Sequence, residues 1–204
     1  MRKTSEQVRN GRATGGPVTG EDVAGGLVTT GAASVKVERV AWEHPDAVAL
    51  RARQRAEIAA RYGRPDSEPG VPPSADDIAA FFVAYGADQA DEGDEGDEED
   101  GTASSAARGP AVGCAGLRHL GSGAGEIKRM YVEPAWRGTG AATRLLRTLE
   151  EWAAGRGWTE LRLETGDAQP DAVRFYTRCG YARIPNFGAY AGRENSWCFG
   201  RRLP

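Results

Sequence analysis

Residues 126–154 read Glu126-Ile-Lys-Arg-Met-Tyr-Val-Glu-Pro-Ala-Trp-Arg-Gly-Thr-Gly-Ala-Ala-Thr-Arg-Leu-Leu-Arg-Thr-Leu-Glu-Glu-Trp-Ala-Ala154. Glu126 to Val132 has the composition of a strand, and Glu133 to Gly140 turns the chain. Ala141 to Ala154 then sets Ala142, Leu145, Leu146, Leu149, Trp152 and Ala153 on one face of a helix, with Arg144, Arg147, Glu150 and Glu151 mostly on the other. Gly155 and Gly157 end it. In Arg137-Gly138-Thr139-Gly140-Ala141-Ala142 the glycines let successive backbone N–H groups converge. The helix amino terminus adds roughly half a positive charge at the same point, so a pyrophosphate fits there. Arg137 contributes a cation with fork geometry. Two other phosphate sites fit less well. A nucleotide-hydrolase loop needs Gly-Lys-Ser/Thr and no lysine lies in or near this turn, while a dinucleotide fingerprint needs a third glycine where Thr143 stands.

Downstream, Thr159 to Glu164 alternates Leu161 and Leu163 as a strand does, Pro170 to Arg178 is a short helix closed by Gly180, and Tyr181 to Ile184 and Asn195 to Leu203 are strands. Upstream, Ser34 to Trp42 has the two-residue period of a half-buried strand. A long helix follows from Pro45, with Ala47, Val48, Leu50, Ile58 and Tyr62, and Gly63 stops it. Ile78 to Tyr85 is a short apolar run typical of a buried strand, and with Ala111 to Leu120 it forms a hairpin. No internal repeat is visible. Strand-helix, hairpin, strand-helix-strand-helix and two strands describe an α/β chain with a mixed sheet.

Two segments lack such a pattern. Met1 to about Ala33 has too few apolar side chains to offset the entropy of ordering and is expected to be a disordered leader before one domain, 34–204. The connection at about 87–109 holds eight acidic residues between Asp91 and Asp100 and is expected to be a solvated, disordered loop. Outside that run the chain is mildly basic and favours arginine over lysine, 23 to 3, which suits polyanionic ligands. It falls short of a nucleic-acid-binding surface. Cys114, Cys179 and Cys198 are odd in number and widely spaced, so neither a disulfide framework nor a zinc site can be read from them, and no other metal cluster is visible. With no export signal and no apolar run of membrane-spanning length, a cytoplasmic protein without a membrane partner is expected.

The pattern Arg-x-x-Gly-x-Gly after a strand, followed by a helix and then by Ala172-x-x-Phe175-Tyr176-x-x-x-Gly180-Tyr181, resembles the GNAT superfamily of N-acetyltransferases. The likeness extends over about Val35 to Leu203 and is most specific between Glu126 and Tyr181. The tail, Arg183-Ile-Pro-Asn-Phe-Gly-Ala-Tyr190 with Ser196-Trp-Cys-Phe199, is similar to a bacterial subgroup of that superfamily. The resemblance implies the acyl-CoA N-acyltransferase fold, a mostly antiparallel mixed sheet of about six or seven strands with about four helices. It also implies acetyl-CoA as co-substrate, no metal, and direct attack by a primary amine of a small molecule. A homodimer is compatible with it.

By the same resemblance, Met130, Tyr131 and Val132 offer backbone to the pantetheine arm, one amide facing the thioester oxygen. Arg137, Gly138, Thr139, Gly140, Ala141, Ala142 and Thr143 hold the pyrophosphate. Gln169 stands where family members often have an asparagine toward the cofactor arm. Tyr176 is the expected general acid for the leaving thiolate, with Phe175 turned to the core; the competing reading makes Tyr176 a core aromatic. Glu126 is the expected general base, against a solvated carboxylate at the start of its strand. The acceptor is expected to meet the first helix and its following loop (Arg53 to Pro73) and the loop Pro185 to Glu194, where Asn186, Phe187, Tyr190 and Arg193 mix aromatic surface with polar handles. His44 reads as a helix-start residue, His119 as a strand end, and the cysteines as small buried residues. Two alternatives remain open: a non-catalytic acyl-CoA sensor, and an acetyltransferase acting on a protein amine.

Overall fold

In the computed structural model, residues 34–65, 68–86 and 109–204 are described. The expected leader lies outside them, as does the acidic connection apart from Gly109. The elements are β1 (Val35–Val40), α1 (Pro45–Tyr62), β2 (Ile78–Gly86), β3 (Ala111–Gly121), β4 (Ala124–Val132), α2 (Ala141–Ala154), β5 (Glu160–Gly166), α3 (Pro170–Arg178), β6 (Ala182–Arg183) and β7 (Ser196–Arg202). The strands form one sheet in the order β1-β2-β3-β4-β5-β7-β6. β4 and β5 are its single parallel pair and all other neighbours run antiparallel. Among the described residues there are three α-helices, one fewer than expected; Pro134–Trp136 and Gly188–Tyr190 are single 3₁₀ turns. β6 is shorter than the Tyr181–Ile184 strand expected, because the Tyr181 amide still bonds back to the Tyr176 carbonyl of α3.

Why β2 reads as an unbroken apolar run is visible in its two faces. Phe82 and Ala84 join a core with Leu145, Leu146 and Leu149 of α2, whereas Phe81, Val83 and Tyr85 join another with Ala47 and Leu50 of α1. Alternate residues of one strand thus serve opposite layers, and both layers are covered by helix. Each fully buried leucine contributes roughly 1.5–3 kcal/mol by leaving water. α1 starts as its sequence predicts: His44 Nδ1 accepts from the Asp46 amide at 3.3 Å, Pro45 opens the helix and Gly63 closes it.

Two irregularities at the centre of the sheet position the site. β4 and β5 pair only from Ala124 to Ile127 and from Glu160 to Leu163. Beyond that, β4 keeps only β3 and β5 keeps only β7, so the two central strands fork at their carboxyl ends. That is where open α/β sheets admit ligands. Opposite the fork the β3–β4 register slips: Gly116 faces Lys128 and Cys114 faces Tyr131, leaving Ala115 across from both Arg129 and Met130. Arg129 sits at φ 54°, a conformation that costs a non-glycine residue about 1–3 kcal/mol. The bulge is held in place by its surroundings. The Arg129 guanidinium pairs with Glu68 at 2.6 Å, and Cys114 Sγ donates to the Arg129 carbonyl at 3.4 Å.

Candidate active site

α2 begins at Gly140, with φ 98°, and Gly138 lies at φ 84°. A β-carbon built at either glycine meets nothing within 4 Å, so the backbone conformation, not crowding, requires glycine here. No side chain caps the helix, which leaves its first-turn N–H groups directed at the space before it. Thr139 does not serve as a cap, because its hydroxyl donates to the Trp136 carbonyl at 2.8 Å.

Below this turn lies a cavity of ≈ 390 Å³. Met130, Tyr131 and Val132 line it from β4, Arg137, Gly138 and Ala142 from the turn, and Gln169 from the start of α3. Thr139, Gly140, Ala141 and Thr143 do not line it, and Ala141 is fully buried in the α2 core. The open edge of β4 is kept by side chains. The Met130 carbonyl accepts from Gln54 Nε2 at 3.2 Å and the Val132 carbonyl from Arg137 Nε at 3.0 Å. Arg137 is therefore not a free cation: it also donates to Glu57 of α1 at 2.5 Å. Burial pushes the Glu57 carboxyl up, but Arg137 and Arg61 outweigh it and hold the group below its ordinary range.

A second cavity, of ≈ 490 Å³, occupies the fork itself, and the two share Gln54, Ile58, Met130, Gln169, Ala172 and Tyr176. The Tyr176 ring packs edge-on against Phe175 and Tyr181, and its hydroxyl donates to Met130 Sδ at 3.2 Å. With 7% of its surface exposed, Tyr176 is the deeper of the two adjacent aromatics; Phe175, expected in the core, is half-buried and lines the smaller cavity. Successive helical residues diverge by about 100°, so the α3 face that sets Tyr176 against Tyr181 turns Phe175 to the rim. Burial raises the Tyr176 phenol well above its ordinary value, so it is protonated at neutral pH and able to donate.

Glu126 is neither solvated nor in the cavity wall. It is 2% exposed, accepts from the Tyr190 hydroxyl at 2.7 Å and from Lys128 Nζ at 3.3 Å, and lies 3.6 Å from Arg118. Lys128 also donates to Glu68 and to the Tyr190 oxygen, at 2.8 Å for the latter. Tyr190, expected near the acceptor, is thus a buried member of this network, edge-packed by Phe187. Asn186 braces its own loop, donating to the Arg193 carbonyl at 2.8 Å and the Ser196 carbonyl at 2.9 Å. Asn186, Phe187 and Tyr190 do not line either cavity, whereas Arg193, from the same loop, lines the larger one.

Gln54 and Glu68 lie in the stretch Arg53 to Pro73 expected to meet the acceptor and line the larger cavity; Glu164 and Thr165, which line it too, were passed over by sequence reasoning. Glu164 and Thr165 end a strand whose partner is parallel, and that position is a usable signal. Among the described residues no group of three or more His, Cys, Asp or Glu side chains could hold a metal, the three cysteines are unpaired, and no helix is long and apolar enough to cross a membrane.

A forked parallel pair, a bulge beside it and an uncapped helix behind a glycine turn define the acyl-CoA N-acyltransferase class. The profile of the acetyltransferase (GNAT) family matches residues 72–181, and the chain belongs to that family. It is 39% identical over 83 residues to an IAA acetyltransferase of Azospirillum brasilense, a match covering 40% of this chain and 54% of the relative. An acetyltransferase of Agrobacterium fabrum is 35% identical over 72 residues, covering 35% and 51%. The chain thus spans about half the length of the curated relatives it matches. Among solved structures, a Klebsiella pneumoniae protein named an acyl-CoA N-acyltransferase superposes with a TM-score of 0.62 at 28% identity, covering 83% of this chain and 98% of that one. A GNAT-family acetyltransferase of Staphylococcus aureus gives 0.60 at 14% identity, covering 84% and 100%, a likeness of fold alone.

Proposed function

We propose that the protein transfers an acetyl group from acetyl-CoA to a primary amine of a small molecule by direct attack. One observation carries the reading. Tyr176 lines both a cavity beneath the glycine turn and a cavity in the strand fork, and its hydroxyl lies 3.2 Å from Sδ of Met130, which lines both as well. A proton donor at such a junction reaches the sulfur of a thioester that enters from one side while an amine enters from the other.

The residues suit this cofactor. The turn at Gly138 and Gly140 and the uncapped α2 amino terminus match a diphosphate, with Gly138 and Ala142 lining the cavity beside it. Met130, Tyr131 and Val132 flank a pantetheine arm along the unpaired edge of β4, and Gln169 faces it from α3. Bound there, acetyl-CoA supplies an activated acetyl group. Tyr176 then gives its proton to the departing sulfur. The larger cavity, at ≈ 490 Å³, has the size of small-molecule sites, which favours a small amine over a protein segment.

The test is thiol release from acetyl-CoA across alkylamines, amino acids, polyamines and short peptides, with wild type and Tyr176→Phe in parallel. Wild type is expected to release thiol with at least one small amine. Tyr176→Phe should lower turnover by about 10²-fold with acetyl-CoA affinity nearly unchanged, as loss of an acid and not of a binding contact does. Binding without release for every amine would favour a sensor instead.

A further inference from the structure

Three carboxylates surround the strand fork, and their partners differ. Glu126 is closed in by Tyr190, Lys128 and Arg118. Glu68 is shared by Lys128 and Arg129, so both of its oxygens face cations. Glu164 lines the larger cavity, and none of the ion pairs among the described residues includes it. An incoming ammonium meets one carboxylate in that wall that is not already neutralised.

Resting on the acetyl-transfer reading above, the geometry points to Glu164, not Glu126, as the catalytic base: its carboxylate takes the proton from the acceptor's ammonium group in the forked cavity. One proton passes from nitrogen to a Glu164 oxygen and on to solvent through the cavity. The freed nitrogen lone pair forms the C–N bond, and the C–S bond breaks with its electron pair kept by sulfur. Tyr176 protonates that sulfur and is restored by the second proton that nitrogen loses. The balance is one ammonium and one thioester in, one amide, one thiol and one proton out. Glu126 holds Lys128 and Tyr190 in position and takes no part in the transfer.

Burial lifts the Glu164 carboxyl above the ordinary range, and Ser196 and Lys128 offset this only in part. That brings the group nearer the pH at which a base works best. Groups facing it from packed elements are Lys128 and Glu126 of β4, Glu68 of the loop after α1, and Ser196 of β7.

The experiment compares wild type, Glu164→Gln, Glu164→Asp and Glu126→Gln, each first shown by calorimetry to bind acetyl-CoA. With the fastest amine of the panel, Glu164→Gln is expected to lose about 10²-fold or more in turnover and the acid-side limb of its pH–rate profile, and Glu164→Asp to keep a reduced limb. Glu126→Gln should keep the limb. Independently of turnover, infrared difference spectra of the free protein on acidification should show a protonated carboxyl band that Glu164→Gln lacks and Glu126→Gln retains. An unchanged limb in Glu164→Gln, or a limb lost in Glu126→Gln, overturns the assignment while leaving acetyl transfer intact. Should Glu164→Gln fail to bind acetyl-CoA, Glu164→Asp decides, and a wild-type profile in it overturns the assignment too. Wild type that binds acetyl-CoA yet releases no thiol sinks both readings.

Discussion

The two cavities share a wall but are built from different material. The smaller one is framed by backbone: a glycine turn, a helix amino terminus and the unpaired edge of β4. The larger one is framed by side chains that six separate segments bring together, from α1, the loop after it, the end of β4, the end of β5, α3 and the stretch leading into β7. A site made of backbone accepts a group common to every substrate molecule of one kind, as the proposed reading asks of a diphosphate and an amide-bearing arm. A site made of side chains selects. On that reading the donor side is general and the acceptor side particular, and the substitutions that follow separate the two.

The largest effect is expected at the turn. Gly140→Trp forces a side chain onto a backbone at φ 98° and into the space before α2. Calorimetry should show acetyl-CoA affinity falling by about 10²-fold or more, since both the conformation and the helix-terminus contacts are lost. Equal affinity would remove the turn from the donor site and with it the contrast between the cavities.

A smaller effect of opposite sign is expected across the mouth of the same cavity. Glu57 already occupies a guanidinium N–H of Arg137, so an anionic ligand competes with it. Glu57→Gln should tighten acetyl-CoA binding by about 2- to 5-fold at low salt, with the gain shrinking as salt rises. Weaker binding would mean that Glu57 orients Arg137 instead of competing for it.

On the acceptor side two modest effects are expected. The Glu164 carboxyl is raised in the folded protein, so its ionisation opposes folding: this stability is present below the ordinary carboxylate range and lost as pH rises through the raised value. Glu164→Gln should accordingly melt higher than wild type at neutral pH, with the difference closing in acid. A melting temperature that falls at neutral pH would assign Glu164 a structural role. Asn186→Ala should lower stability by about 1 kcal/mol through its two loop hydrogen bonds while leaving turnover near wild type, measured by thermal melting and thiol release. A large loss of turnover would return Asn186 to the acceptor site.

The sequence was most legible where local chemistry and tertiary demand coincide. β2 announced its burial because both of its faces are covered. α2 announced its start and face because Gly138 and Gly140 need their backbone conformations and because Leu145, Leu146 and Leu149 recur on one stripe. For Glu126 the sequence leaves a solvated carboxylate and a site-facing base both open, because nothing in a strand says which neighbours will close over it. Tyr190, Lys128 and Arg118 do so from 64, 2 and 8 residues away. How deep Tyr176 and Phe175 lie was hidden for a related reason: α3 packs Tyr176 on Tyr181 and still leaves it lining both cavities, while Phe175 packs against the core and lines the smaller one, an orientation set by the partner and not by the helix.

By itself the sequence determined the order of elements and the glycine turn, because these rest on backbone conformation and periodicity within short windows, and its motifs carried the resemblance to the family to which the chain belongs. Where β4 and β5 part, which of three carboxylates is left without a cation and which loop residues turn inward were decided only in the tertiary structure. Those outcomes depend on side chains competing across the fold for the same few charges, and that competition has no local signature.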